Sequence, residues 1–301
     1  MHTSLRQYRA VDAVARLGSF VEAAKALHVT PAALSSLVRE LEKDLGFPVF
    51  ERTTRKVRVS ESGEQYLPHV HRVLAEVAGA ERCALDVRSG QPHVIRLATT
   101  QTVITTLLPN AFRSFRQKWP QGRLYPLDIL SGEIGDALQS GQADIAIGAL
   151  LPSDERFDCR PFLTTRWHCC FEEGHPLARH ETVAWKDIVN CPLIFPGQTG
   201  RLKLEASLPR NLRMSNVYEA STASAGIAMA ASGQGIMISA GYVAQVARLL
   251  NLCTRPLASP EIDHELEICI SARHSARSAV AEVRDLLLAE ISAASAHALA
   301  P

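Results

Sequence analysis

Apolar residues recur at steps of three and four through the first sixty positions. Leu5, Tyr8, Val11, Val14 and Ala15 fall on one helical face, and Gly18 ends that helix. Ser19 is placed to cap a second helix, with Glu22 three residues on as the partner of a capping box. Phe20, Ala23, Ala24 and Leu27 form the buried stripe of this second helix. After a short break at His28-Val29, Thr30 suits an N-cap and Pro31 the first turn of a third helix. Its stripe is Leu34, Leu37, Val38 and Leu41, and Gly46 closes it. The period then changes. Val49-Phe50 reads as a strand, and Val57 and Val59 alternate with Lys56 and Arg58 in a second strand, so the two make a small hairpin. From Ser60 a long helix is predicted to about Val87. Leu67, Val70, Leu74 and Val77 alternate at three and four along it, until Glu81 interrupts. That seam suits either a two-fold mate or packing on the helix's own domain.

Gly90-Gln91-Pro92 reads as a hinge, and beyond it strands and helices alternate. Strands are expected at 93–98, 123–129, 144–148, 192–195, 236–239 and 266–271, and helices at 107–118, 134–140, 223–231 and 276–291, with the tail from Ser292 frayed. The organisation is therefore 1–60, a winged helix-turn-helix; 61–91, a linker helix and hinge; and 92–301, a larger α/β domain. A chain of 301 residues that is 47% hydrophobic has material for about two cores.

Charge adds a local signal. The net charge is only +1, yet up to Ser60 there are ten Lys and Arg against six Asp and Glu. No run of about 18 apolar residues is present and no signal peptide is evident, so a cytoplasmic protein with no membrane contact is expected. The seven cysteines form no C-x-x-C pair, which suits free thiols in a reducing compartment. No metal or other cofactor is expected: His69 and His71, or His175 and His180, lack the spacing of a helical zinc pair. Gly233-Gln234-Gly235 lacks the third glycine and the setting of a dinucleotide loop.

The outward face of the third helix carries Ala32, Ser35, Ser36, Arg39 and Lys43. Small residues let a helix settle into the major groove, and the basic ones reach phosphates or base edges. The hairpin tip from Glu51 to Arg55 is a basic wing. With Ser19-Phe20, Ala23-Ala24, Leu34-Ser35, Leu41-Glu42, Leu45-Gly46, Phe50, Arg52 and Ser62-Gly63 in register, the stretch from Leu5 to Leu67 resembles the DNA-binding domain of LysR-type transcriptional regulators. The resemblance implies contacts to a double-stranded operator from Thr30, Pro31, Ala32, Ser35, Ser36 and Arg39, and from Arg52, Thr54, Arg55 and Arg58 on the wing. The chain departs from the family at Thr30-Pro31-Ala32, where Ser-Gln-Pro is usual, and at Ser36-Leu37, where Arg-Gln is frequent.

Gly141 to Ile147, His175 to Ala178 and Ser232 to Ile236 resemble stretches of the sensor domains of the same family. This implies two α/β lobes, similar to periplasmic binding proteins, with the chain crossing near Leu163 and returning near Pro256. Lobe one is then 92–162 and 257–301, and lobe two 163–256. It also implies a homodimer paired through the linker helix, with the Leu67, Val70, Leu74 and Val77 seam against its two-fold mate, assembling into a homotetramer, and a small-molecule effector in the cleft. Thr99, Thr100, Gln101 and Thr102 lie between a strand and its helix. Gln198, Thr199 and Thr222 sit at helix starts in lobe two. Hydroxyls beside helix N-termini favour an anion, and a small carboxylate is expected. Two other classes remain: a thiol redox sensor, disfavoured by the cysteine spacing, and an enzyme with an appended DNA-binding module, disfavoured because no complete catalytic motif is present.

Overall fold

The computed structural model describes residues 3–52, 57–88, 94–149, 155–272 and 278–298. The chain divides into two units, one holding residues up to Leu85 and the other holding nearly all the rest.

The N-terminal unit begins with α1 (Leu5–Leu17), α2 (Phe20–Ala26) and α3 (Pro31–Leu45). Ser4 and Gln7 make a reciprocal capping box on α1, and Gly18 and Gly46 close α1 and α3 in the left-handed conformation. At Ser19 only half of the predicted box forms. Its hydroxyl accepts from the Glu22 amide, while the Glu22 carboxylate pairs with Lys25 instead. Ala10, Val14, Ala24, Leu34, Val38 and Leu41 are fully buried together. Strands β1 (Phe50–Arg52) and β2 (Val57–Val59) pair antiparallel, Phe50 opposite Val59. The hairpin is tied to the helices at two places. Glu42 accepts from the amides of Val49 (2.8 Å) and Phe50 (3.1 Å). Ser60 donates to the Pro48 carbonyl at 2.6 Å and accepts from the Gly63 amide at 3.0 Å. There α4 (Glu61–Arg88) begins.

The predicted seam on α4 needs correction. Leu67 and Val70 are buried in the core of their own unit, with Leu74 packed against it. Among the described side chains of α4, the large apolar ones left exposed are Val73 and Leu85.

The second unit is two sheets sharing a strand. In chain order its elements are β3 (Val94–Thr99), α5 (Gln101–Thr106), α6 (Pro109–Lys118), β4 (Arg123–Asp128), α7 (Ile134–Gln139), β5 (Ile145–Gly148), β6 (Phe157–Glu172), β7 (Val183–Ala184), α8 (Trp185–Ile188), β8 (Leu193–Pro196), α9 (Gln198–Ser207), β9 (Val217–Ala220), α10 (Ala223–Ala231), β10 (Ile236–Ala240), α11 (Ala244–Arg248), β11 (Leu252–Ala258), β12 (Asp263–Ser271) and α12 (Ala279–Ala298). Lobe one is the sheet β4-β3-β5-β12-β6, and lobe two has β6-β10-β8-β9 with β11 and β7 on its other side. The sixteen-residue β6 belongs to both: residues 157–166 pair with β12, and its C-terminal part pairs with β10 and β11. The lobe-two pairing of β11 continues to Ala258, so the chain returns between Ala258 and Asp263, a few residues beyond Pro256.

Alternation builds two cores on each sheet. Leu97, Ile145 and Ile268 face Leu287 and Ile291 of α12, while Ala98, Ala146 and Cys269 face Ile134 and Leu138. In lobe two Leu193, Phe195 and Ile238 pack on Trp185, and Ile194 and Met237 pack on Ile227. Arg284 is buried beneath lobe one and pairs with Asp158 and Asp285. Burial works against ionisation of Asp158, but Arg284 and Arg160 outweigh it and hold the carboxyl below its ordinary range.

The glycines that first suggested a nucleotide loop serve the backbone. Gly233 adopts φ +71° after α10, and a Cβ on Gly235 would sit 2.5 Å from the Pro192 carbonyl oxygen. The expectation of seven free thiols is also corrected, since Cys159 on β6 and Cys269 on β12 face each other directly and are bonded, with Cα atoms 4.1 Å apart. The frayed tail is corrected too: α12 continues to Ala298.

Candidate functional site: a reading helix and an inter-lobe cleft

Helix α3 holds the candidate DNA face. Thr30 accepts from the Ala33 amide at 3.2 Å and Pro31 occupies the first turn, so both shape the helix entry. Ala32, Ser36 and Arg39 are exposed and Ser35 is half-buried, while Leu34, Val38 and Leu41 turn inward. Ser36 donates to Glu40 one turn on, at 3.1 Å. Arg58 on β2 is exposed. Thr54 and Arg55 lie outside the described residues, as does the side chain of Arg52.

The cleft lies where the lobes meet, at the carboxyl ends of parallel strands, which is where open α/β sheets bind ligands. Its volume is about 790 Å³. The starts of α5, α9 and α10 all reach it, through Thr100-Gln101, Gly197-Gln198 and Thr222-Ala223. Thr100 occupies the cap position of α5 without a capping hydrogen bond from its side chain. Thr222 caps α10, accepting from Ala225 at 3.2 Å. Gln198 donates to Glu219 at 3.0 Å, and Glu219 also takes Arg201 at 2.9 Å. Arg201 is bound on its other side by Glu205 at 3.1 Å. Gln101 of lobe one accepts from Ser224 of lobe two at 2.8 Å, a hydrogen bond that spans the cleft. Thr99 stands apart: it is fully buried, its hydroxyl donates to the Ile147 carbonyl at 2.8 Å, and it does not line the cavity. The side chain of Thr199 lies outside the described residues.

Sequence reasoning missed the aromatic wall. Trp167, Phe195, Tyr242 and His264 line the same cavity. His264 stands edge-on to Trp167 (centroids 4.8 Å apart, planes at 81°) and 6.2 Å from Tyr242. Burial, aided by the charge of Lys203, pushes its pKa down to about 4, so the ring is neutral near pH 7. The only signal in the sequence was an apolar-aromatic scatter with no period, because three of these side chains sit on lobe-crossing strands or loops.

The two adjacent thiols of β6, Cys169 and Cys170, are quiescent. Burial, and then Cys170, pushes Cys169 up to about 12, and burial pushes Cys170 to about 11 despite the Ser239 hydroxyl. Cys169 contacts the Arg255 carbonyl and Cys170 contacts Ser239, on opposite faces of β6. No cluster of three metal-ligating side chains occurs among the described residues. No described helix is long and apolar enough to cross a membrane.

Two family models cover nearly the whole chain. Residues 5–64 match the bacterial regulatory helix-turn-helix protein of the lysR family, and residues 88–292 match the LysR substrate binding domain. The chain belongs to the LysR family. It is a DNA-binding transcriptional regulator with an effector-binding domain. Among its relatives is the uncharacterised HTH-type transcriptional regulator YbhD of Escherichia coli, 25% identical over 271 residues, covering 89% of this chain and 86% of that protein. The E. coli HTH-type regulator cbl is 30% identical over 198 residues, covering 64% of this chain and 62% of that one. Full-length BenM is similar in fold, with TM-score 0.58 at 22% identity over 96% of this chain and 97% of that one. CbnR, a LysR family transcriptional regulator, gives TM-score 0.59 at 16% identity over 96% and 99%. The two-lobed LysR fold anticipated from the sequence is thus the one found.

Proposed function

We propose that this LysR-family protein reads a specific operator with α3 and the β1–β2 wing, and that a small carboxylate bound in the cleft changes that reading. The observation that carries the effector part is convergence: three helix starts meet around one cavity, and helix starts present unpaired N–H groups that favour negative charge. The Thr100 hydroxyl is not spent on its own helix, and Thr102, Gln101, Gln198 and Thr222 surround the same space. Thr99 is left out of this set because its hydroxyl serves β5. Replacing Thr100 with valine keeps β-branching and deletes the hydroxyl. Effector affinity should fall about 5- to 100-fold, the cost of a lost hydrogen bond to a charged group. Calorimetry against a panel of metabolites and then against the variant reads this; an undiminished response would move the anion elsewhere.

On the DNA side, the exposed Ala32, Ser36 and Arg39 with half-buried Ser35 suit base-proximal contacts. Arg58, Arg52, Thr54 and Arg55 suit the backbone, and Thr30 and Pro31 set the angle of entry. Arg39→Ala separates the two kinds of contact. If Arg39 reads a base edge, the loss should be about tenfold on the operator and smaller on random duplex. A uniform loss, with the salt slope reduced by about one, would make it a phosphate contact. Fluorescence anisotropy across a salt series decides.

We take the protein to act as a homodimer, assembling into a homotetramer, in the cytoplasm and without enzymatic activity. Exposed Val73 and half-buried Val77 one turn on, rather than buried Leu67 and Val70, are the α4 positions offered to a mate. The Cys159–Cys269 bond favours a second reading, thiol redox sensing, because it joins the two strands that connect the lobes. Operator affinity compared with and without a dithiol reductant, in wild type and Cys269→Ser, tests it.

A further inference from the structure

Among the described residues three buried side-chain polar atoms have no hydrogen-bond partner, and two of them belong to this one cleft: Arg201 Nε and His264 Nδ1. A buried polar group left unpaired is costly, and such groups are rare enough to need a reason. A ligand that supplies the missing partners is one. The two residues come from different lobes' elements, α9 and β12, so a group satisfying both also bridges the lobes.

The surroundings limit what that group is. The wall beside His264 is Trp167, Tyr242 and Phe195, which offers flat apolar contact. A Cβ on Gly200 would stand 3.3 Å from the Trp167 ring, so α9 lies close over the indole. The cleft's charged residues are Arg201 against Asp128, Glu133 and Glu219, and Arg201 already holds Glu205 and Glu219. His264, uncharged near neutral pH, adds no positive charge. One anionic group is met by N–H donors at the helix starts; a second would add to the three carboxylates that line the cleft, which a single arginine, already paired, does not offset.

We infer that the effector is a monocarboxylate on a flat apolar body whose far end carries a neutral hydrogen-bonding group, a hydroxyl or carbonyl, received by His264 and Arg201. This rests on the reading of the cleft as the effector site. His264 and the indole then set specificity, and the Thr100 end holds the charge.

The test uses full-length protein and defined probes: benzoate and 4-hydroxybenzoate, the longer cinnamate and 4-hydroxycinnamate, and the dianion terephthalate. Binding is measured by saturation-transfer NMR and calorimetry. At least one hydroxylated acid should bind about tenfold more tightly than its unsubstituted partner, and terephthalate should bind more weakly than both benzoates. His264→Phe keeps a ring and should erase the hydroxyl preference, while His264→Asn, which keeps a polar group, should retain part of it. Melting curves establish that both variants fold. A preference that survives His264→Phe, terephthalate binding as tightly as 4-hydroxybenzoate, or no binding by any hydroxylated acid overturns the inference. If carboxylates bind and Thr100→Val weakens them all without any hydroxyl preference, the cleft reading stands and only this ligand class fails. If binding ignores both Thr100→Val and His264→Phe, the cleft reading itself falls.

Discussion

Gly63→Ala should destabilise the DNA-binding unit by about 3 kcal/mol and cost more than tenfold in operator affinity. A Cβ on Gly63 would stand 2.2 Å from the Val49 carbonyl oxygen and 2.9 Å from Val59 Cγ1. Neither neighbour can yield cheaply. The Val49 carbonyl accepts from Ser60, and the Val49 amide is held by Glu42. Val59 pairs with Phe50 in the wing. The methyl group therefore pushes α4 off the hairpin, and the hairpin carries the wing. For a unit of this size, about 3 kcal/mol lowers the melting midpoint by roughly 10–20 °C. Gly174→Ala is the control, because its Cβ meets nothing within 4 Å, and it should stay within about 0.5 kcal/mol of the parent. A Gly63→Ala protein that melts with the parent would show that the α4 start shifts freely, and the wing's position would then not depend on it.

The N-terminal unit was legible because its signals are local. Caps, closing glycines and the 3.6 period lie within a few residues of the contacts they create, so α1, α2 and α3 fall where the pattern puts them. The heptad on α4 misled for a related reason: a three-four stripe states that a face is buried, not which partner buries it, and Leu67 and Val70 meet their own core.

The second unit was less legible where strands serve two sheets. The core strands β3, β5, β8 and β10 are near-continuous apolar runs flanked by helices and were placed to within a residue or two. The long β6 was not, since Arg160, Pro161, Thr164 and Arg166 break its alternation where it passes from one lobe to the other. Helix α5 was missed because Thr102, Val103, Ile104, Thr105 and Thr106 are β-branched and weak helix formers, and packing overrides that preference. The cleft's polar rim could be read from hydroxyls next to helix starts. Its aromatic wall, and the pairing of Cys159 with Cys269 across a separation of 110 residues, depend on register between distant strands, which no local pattern encodes.

The second large effect is expected at Trp185, which ties the returning chain to lobe two. Its side chain is fully buried among Phe195, Leu193 and Ile238, and its Nε1 donates to the Pro260 carbonyl at 3.1 Å. Pro260 lies between β11 and β12, on the return path between the lobes. Trp185→Ala removes both the volume and the hydrogen bond and should cost the C-terminal unit about 3–5 kcal/mol. Trp185→Phe keeps most of the volume and leaves the carbonyl unpaired, so it should cost about 1–3 kcal/mol. The two substitutions separate packing from anchoring. In Trp185→Phe the operator should still be bound, since the DNA-binding unit has its own core, whereas the response to the effector should shrink because the return path is less firmly held. Urea unfolding, with operator titrations in the presence and absence of effector, measures each quantity. If Trp185→Phe responds to effector as the parent does, the Nε1 bond serves stability alone and the return path does not govern how the lobes move.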